Sequence, residues 1–202
     1  YMPSEGSIAL DGIDLQHLSR AQLADRLGYL PQDVRLFAGT LKDNLMLGVV
    51  GRTDKEVLAA CELTGLAPIV AAHRQGFDLP IAEGGTGLSG GQRQLLALTR
   101  MILSTPDIWL LDEPTASMDE GAEMRTMHAL QRSVQADQTL VLVTHKPSLL
   151  QLVDRLIILS PNGVVMDGPK DQVLQQITKV RPISPNAQGP AAAKARLEEV
   201  AA

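Results

Sequence analysis

The sequence predicts an α/β fold built around a parallel sheet. Short apolar runs, such as DIWLL at 107–111 and TLVLV from 139, alternate with helical patterns along the second half of the chain. Strands that are apolar throughout are typical of a parallel sheet covered by helices on both faces. Hydrophobic residues make up 45% and charged residues 20% of the 202 residues, which suits one folded domain with a sizeable core.

Turn and capping signals divide the first half of the chain into short elements. Asp11-Gly12 predicts the turn of a hairpin. Thr53 followed by Glu56 is a capping box and predicts the start of a helix. The predicted strands of this half are 6–10, 13–15 and 28–32, and its predicted helices are 18–27, 40–48 and 53–66.

The second half contains the longer elements. A glycine-rich loop at 75–87 leads into a helix that runs from Ser89 to about Leu103. The strand at 107–111 is followed by predicted strands at 139–144, 155–160 and 163–168 and by predicted helices at 120–136, 147–153 and 171–177. The prolines of RPISPNAQGP indicate a linker, so we expect 181–202 to form a Pro/Ala-rich tail.

Composition excludes several classes of function. The formal net charge is −5, and the chain has only two Phe, two Tyr and one Trp. We therefore expect no nucleic-acid partner, because neither a basic surface nor an aromatic platform for bases is present. Cys61 is the single cysteine, and its spacing to the four histidines does not match that of a metal site. No apolar run reaches the roughly 18 residues of a membrane-spanning helix.

Polar residues follow three of the predicted strands directly. Gln32 ends the strand at 28–32, Asp112-Glu113 follows DIWLL, and His145 follows TLVLVT. Ligands bind at the carboxyl ends of parallel strands, so these groups are candidates for one site. The first carboxylate suits Mg²⁺ and the second can orient or deprotonate a water. The alternatives are carboxylates that cap the next turn, a surface histidine and an ordinary loop glutamine.

The stretch GLSGGQRQ, at 87–94, places Ser89 and two glycines at the start of a helix. Backbone amides at a helix start attract anions such as phosphate, and the alternative is a plain capped helix after a loop. The usual phosphate loop, G-x-x-x-x-G-K-[ST], does not occur in the 202 residues, and none of the six lysines follows a glycine.

Taken together, these segments resemble the nucleotide-binding domain of an ABC transporter over about 1–178. The matching motifs are YLPQD at 29–33, LSGGQ at 88–92, IWLLDE at 108–113 followed by PTASMD, and VTHK at 143–146. The resemblance implies a P-loop NTPase-like (RecA-like) parallel sheet core, at 1–32 and 105–180, with an incomplete N-terminal β part. It also implies an inserted helical subdomain at about 33–104.

The resemblance also implies an ATPase mechanism. Two domains would pair head to tail with ATP between them, and the signature of one would touch the γ-phosphate bound to the other. The signature residues are Ser89, Gly90, Gly91 and Gln92. Asp112 and Gln32 would support Mg²⁺, Glu113 would polarise the attacking water, and His145 would contact the γ-phosphate. Asp119 would pass information across the dimer.

Longer matches, such as THKPSLLQLVDRLIILSPNGVVMDGPKDQVL, look most like the exporters of type I secretion systems. The implied partners are a second, identical domain, a transmembrane domain, a periplasmic adaptor and an outer-membrane channel. The implied place is the cytoplasmic face of a bacterial inner membrane. The alternatives are a non-catalytic pairing module, which supplies only the signature half-site, and a soluble ABC protein of DNA repair or translation.

We expect the chain to begin inside a longer protein, since residue 1 is Tyr and the family's phosphate loop, or Walker A, lies upstream of the segment that matches YMPSEGSIALDG. Two further expectations depend on that one. The isolated chain should not hydrolyse ATP, and DIWLL and TLVLV should expose apolar surface.

Overall fold

A computed structural model describes residue 3 and residues 5–180, so the predicted tail at 181–202 lies outside the described residues. The strands are β1 Ala9–Leu10, β2 Ile13–Asp14, β3 Leu27–Leu30, β4 Gly39–Thr40, β5 Pro80–Ile81, β6 Ile108–Asp112, β7 Thr139–Val143, β8 Arg155–Ser160 and β9 Gly163–Pro169. The α-helices are α1 Arg20–Arg26, α2 Leu41–Met46, α3 Asp54–Thr64, α4 Ala67–Ala72, α5 Gly90–Ser104, α6 Glu120–Ser133 and α7 Lys170–Val180.

The predicted parallel sheet is confirmed, with the strand order β3-β6-β7. Leu30 pairs with Leu111, and Asp112 pairs with Val143, so the three strands end at the same edge. The other strands pair as antiparallel two-stranded ribbons: β1 with β2, β4 with β5, and β8 with β9. The predicted hairpin at Asp11-Gly12 is one of these ribbons, and the predicted strands at 155–160 and 163–168 pair as another.

Helix α5 joins the two largest clusters of buried side chains. On one side it packs on β3 and β6 through residues such as Leu98 and Met101, which meet the fully buried Trp109. On the other side it packs against α2 and α3 through Leu95 and Leu96. Such a helix holds the sheet and the helical segment in a fixed relation, which matters because its first turn carries the LSGGQ motif.

Cys61 lies in the second cluster with no exposed surface. Burial raises the pKa of its thiol to about 11, so the thiol stays protonated and packs as a small apolar group.

Nearby, the hydroxyls of Thr64 and Thr99 lie 2.8 Å apart between α3 and α5, and each also lies within hydrogen-bond distance of a carbonyl of its own helix. The two helices are thus joined by a satisfied polar contact.

The expectation that helices cover both faces of the parallel sheet is wrong for the described residues. Apolar strands predict cover on both faces, but Tyr29, Val141 and Val143 are 60%, 48% and 57% exposed. Tyr29 lies between buried residues of β3, and Val141 and Val143 alternate with partly buried leucines of β7. The three exposed residues share one face, because successive side chains of a strand point to opposite faces. Apolar surface of TLVLV is therefore exposed, as expected, whereas Trp109 and Leu111 of β6 are buried against α5.

Several short elements were not predicted, and one predicted helix differs in type. Helix α4 begins just after Gly65, whose φ of 84° ends α3, and Pro68 stands in its first turn. The ribbon of β4 and β5 is too short to give a sequence pattern. The predicted helix at 147–153 is a 3-10 helix, Pro147–Leu152. Among the described residues, no helix is both long and apolar enough to cross a membrane.

Candidate functional site

The ends of the three parallel strands bring the predicted polar residues to one edge of the sheet. Asp112 is the last residue of β6, and the register places Gln32 and Thr144-His145 just beyond the ends of its two neighbours. Gln32 is exposed, whereas Asp112 and His145 are partly buried. Sequence reasoning therefore placed this cluster at the edge where the structure has it.

Glu113 is the best-defined side chain of the cluster. Its backbone has a φ of 48°, in the left-handed region that is uncommon for a non-glycine residue, and its N–H donates to the carbonyl of Val143 at 2.9 Å. Its side chain is 13% exposed, and its Oε1 accepts the backbone N–H of His145 at 3.1 Å. Its Oε2 is buried and has no hydrogen-bond partner among the described residues.

The unpartnered oxygen indicates what the carboxylate can do. A buried acceptor without a donor is costly, and strained or unsatisfied groups concentrate at functional sites. A water or a ligand hydroxyl would satisfy Oε2, and an ionised carboxylate can orient such a water or take a proton from it.

His145 touches the same carboxylate through its ring. Nδ1 lies 2.6 Å from Oε1 of Glu113, and the side chain is 42% exposed. A carboxylate only accepts, so Nδ1 carries a hydrogen in this contact. The ring can then donate from Nε2 to a phosphate oxygen only as an imidazolium, because both nitrogens must carry hydrogen.

The LSGGQ motif forms the first turn of α5, with Ser89 as its N-cap. The hydroxyl of Ser89 accepts the N–H of Gln92 at 3.2 Å, and the side-chain carbonyl of Gln92 accepts the N–H of Ser89 at 2.8 Å. The cap uses Ser89 as an acceptor and leaves its hydroxyl hydrogen free to donate to an anion. The first amides of the helix, at Gly90 and Gly91, have no acceptor within the helix by position.

A residue that sequence reasoning missed connects this helix to the strand end. Gln94 is 2% exposed; its Nε2 donates to the carbonyl of Glu113 at 3.3 Å, and its Oε1 accepts the N–H of Ser117 at 3.3 Å. Its position directly before the apolar run LLAL, at 95–98, was the available signal, since a buried amide needs partners. Gln94 thereby fixes the LSGGQ helix against the 113–118 segment.

Close packing reinforces the same contact. A Cβ built on Gly91 would lie 3.0 Å from the backbone oxygen of Ser117, and one on Gly90 would lie 3.0 Å from the Ser117 side chain. The two glycines therefore allow α5 to approach the 113–118 segment. Asp119 follows this segment and caps α6 by accepting the N–H of Ala122 at 2.7 Å.

A cleft of about 560 Å³ opens beside the start of α5, the end of the 113–118 segment and the start of α6. Its lining includes Ser89, Gly91, Gln92, Ser117, Asp119 and the exposed Arg125. Four residues that the sequence motifs singled out thus border one open space, together with a cationic side chain that the motifs did not include. A helix start beside a guanidinium suits an anionic group.

Asp112 and Gln32 fit Mg²⁺ by their chemistry. They offer a carboxylate and an amide oxygen at neighbouring strand ends, and Mg²⁺ is commonly held by few protein oxygens together with waters and phosphates. Within residue 3 and residues 5–180, no three His, Cys, Asp or Glu side chains are grouped so that they could hold a metal ion. A dedicated all-protein cage for a metal is therefore not part of the described structure.

Comparisons with known proteins agree with the motifs. The ABC transporter family pattern matches residues 1–116. The type I secretion system ATP-binding protein PrsD of Rhizobium meliloti is 34% identical over 174 residues, which cover 86% of this chain and 30% of PrsD. A lactococcin transport/processing ATP-binding protein LcnC-like of Lactococcus lactis is 32% identical over 177 residues, 87% of this chain and 24% of that protein.

A solved structure of a bacterial Atm1-family ABC exporter with ATP bound superposes with a TM-score of 0.82. It is 29% identical, and the match covers 98% of this chain and 33% of the exporter chain. The chain spans 29% and 30% of the lengths of the first two curated relatives, so it corresponds to less than a third of each.

Proposed function

Because this chain belongs to the ABC transporter family, we propose that it is the nucleotide-binding part of an exporter that hydrolyses ATP. The observation that carries the proposal is the strand-end pair of Glu113 and His145, with Oε2 of Glu113 buried and unpartnered among the described residues. Phosphoryl transfer depends mainly on positioning and charge stabilisation, and such a pair provides both.

In this proposal each group has one task. Oε2 of Glu113 orients the attacking water and takes its proton, and the imidazolium of His145 donates from Nε2 to the γ-phosphate. Asp112 and Gln32 would hold Mg²⁺, which would offset the charge of the phosphates. The geometry of Glu113 and His145 supports their share of this scheme, because one carboxylate oxygen fixes the ring and the other is left for water.

We propose further that a second copy of the chain completes the site. Ser89 of one copy donates its free hydroxyl hydrogen to the γ-phosphate bound to the other copy, beside the first amides of α5. The capped geometry of Ser89 supports this role, since its hydroxyl oxygen already accepts from Gln92. The side chain of Gln92 accepts the N–H of Ser89 and so completes the cap. In this proposal Gln92 therefore supports phosphate binding indirectly, because it holds the first turn of α5 in shape.

The relatives support a proposal for the cargo and the setting. The resemblance to PrsD and to the lactococcin transporter favours export of polypeptides across a bacterial inner membrane by a complex with transmembrane domains. In a type I system the complex would include a periplasmic adaptor and an outer-membrane channel. These transporter relatives also favour the exporter over a soluble ABC protein of DNA repair or translation.

Substitution of Ser89 tests the proposed contact with nucleotide. In the full-length transporter, Ser89→Arg should preserve nucleotide binding and reduce ATP turnover by about 50-fold or more, because a large side chain would occupy the helix start that faces the γ-phosphate. The matched control is Ser104→Arg at the exposed far end of α5, which should hydrolyse ATP at the normal rate. Normal turnover by Ser89→Arg would refute the role of this motif.

The 202-residue chain by itself should bind ATP weakly and should not hydrolyse it. It contains no G-x-x-x-x-G-K-[ST] sequence, and one helix start with a serine contributes only a few kcal/mol, which corresponds to a Kd of about 1 mM or weaker. Isothermal titration calorimetry checks this expectation. Micromolar ATP binding by this chain would contradict it and would point to an unrecognised phosphate site.

A further inference from the structure

Lys146 follows His145 directly, and its side chain reaches the 113–118 segment and α6. Its Nζ donates to the carbonyl of Thr115 at 2.8 Å and lies 2.5 Å from Oε2 of Glu123. The Lys146 and Glu123 side chains are 22% and 16% exposed, so the pair is shielded more than the surface ion pairs of the chain. The contact therefore joins three separate segments: 113–118, 144–148 and α6.

Glu123 uses both of its oxygens in this contact. Ser148 donates its hydroxyl to Oε1, while Lys146 occupies Oε2. Burial raises the pKa of Glu123, but the hydrogen bonds from Lys146 and Ser148 and the charge of Lys146 outweigh burial and leave it below its ordinary value. The carboxylate is thus ionised at neutral pH and holds the segment after β7 at two points.

The backbone around His145 is anchored on both sides. The N–H of Lys146 donates to the hydroxyl of Thr144 at 3.0 Å, and the N–H of His145 donates to Glu113. Thr115 lies two residues after Glu113, so a single ammonium group fixes the segment that carries the carboxylate against the segment that carries the imidazole. A loss of that ammonium would allow the two segments to separate.

We propose that Glu123 and Lys146 are positioning residues for ATP hydrolysis, which together hold the carboxylate of Glu113 and the ring of His145 at their working separation. The proposal rests on the proposed function. Neither residue touches nucleotide in this scheme; they act through the backbone of Thr115 and of 144–148. Because Asp119, the N-cap of α6, borders the cleft at the LSGGQ motif, the same pair links that surface to His145.

The test uses the full-length transporter with Lys146→Met, Glu123→Gln, the conservative Lys146→Arg and a control, Lys42→Met. Lys42 forms an exposed ion pair with Asp54 at 2.9 Å, away from the strand ends. A misplacement of about 1 Å can cost up to 100-fold in rate, so Lys146→Met and Glu123→Gln should lower kcat by about 10-fold or more with an unchanged KM for ATP. Lys146→Arg should retain most of the rate, because an arginine can donate to both acceptors of Lys146, the carbonyl of Thr115 and the carboxylate of Glu123.

A double-mutant cycle completes the test. Glu123→Gln combined with Lys146→Met should slow turnover by less than the product of the two single effects, because both changes break the shared contact between Lys146 and Glu123. A normal kcat in the two single variants would overturn the proposal. A change in KM or a lower melting temperature without a loss in kcat would overturn it as well, because it would indicate a purely structural role. Glu113→Gln serves as the reference: if it hydrolyses ATP normally, the proposed function fails, whereas slow Glu113→Gln with normal Lys146→Met refutes only the positioning role.

Discussion

Glu113→Gln should stop ATP turnover in the full-length transporter while ATP binding remains. The amide keeps the size of the side chain but cannot take a proton from water, and general-base catalysis contributes about 100-fold to 10,000-fold in rate. Measurement of ATP hydrolysis alongside equilibrium nucleotide binding separates the two effects.

The Glu113→Gln substitution should also leave the local structure at the end of β6 intact. The amide that Glu113→Gln introduces can still accept the N–H of His145 through its oxygen, so the fold of the strand end should persist. The matched control is Glu62→Gln, an exposed carboxylate on α3, which should leave turnover unchanged. Turnover within two-fold of the unmodified protein in Glu113→Gln would remove Glu113 as the base.

Gly91→Ala should lower ATP turnover in the full-length transporter, although it adds only one methyl group. An added Cβ at this position would lie 3.0 Å from the backbone oxygen of Ser117, so the 113–118 segment must move by a few tenths of an ångström. Small displacements of reacting groups are costly, and we expect a loss of about 10-fold or more in turnover. The expected loss in the free energy of unfolding is only about 1 kcal/mol, as for mild overpacking.

Gly121→Ala is the control for that prediction. This glycine is also in the first turn of a helix, but its added Cβ would make an ordinary contact of 3.4 Å with Oδ1 of Asp119. Alanine is the better helix former by about 0.5–1 kcal/mol, so Gly121→Ala should maintain or raise stability and leave turnover intact. Equal rates in Gly91→Ala and Gly121→Ala would show that close approach at Gly91 is not needed.

The strand-end cluster was predictable from sequence because its placement depends on one rule. Parallel strands end at a common edge, so the residues after each apolar run must meet there. The start of α5 was predictable for a similar local reason, since Ser89 and Gln92 form a capping box within four residues. Neither inference required knowledge of distant contacts.

The residues that support the cluster could not be found in this way. Gln94 and Lys146 bond to carbonyls 19 and 31 residues away in sequence, and those partners are defined only by the tertiary fold. Glu123 resembles any acidic residue in the first turn of a helix, where its charge also suits the helix dipole. The exposed face at Val141 and Val143 shows the same limit, because an apolar strand does not reveal what covers it.

The measurement that tests the central claim most directly is a structure of the full-length Glu113→Gln transporter with ATP and Mg²⁺. We predict that the γ-phosphate lies within about 3 Å of the Ser89 hydroxyl of one copy and next to His145 and Asp112 of the other. A nucleotide that contacts Ser89 and Asp112 of the same copy, or that leaves Ser89 untouched, would contradict the account.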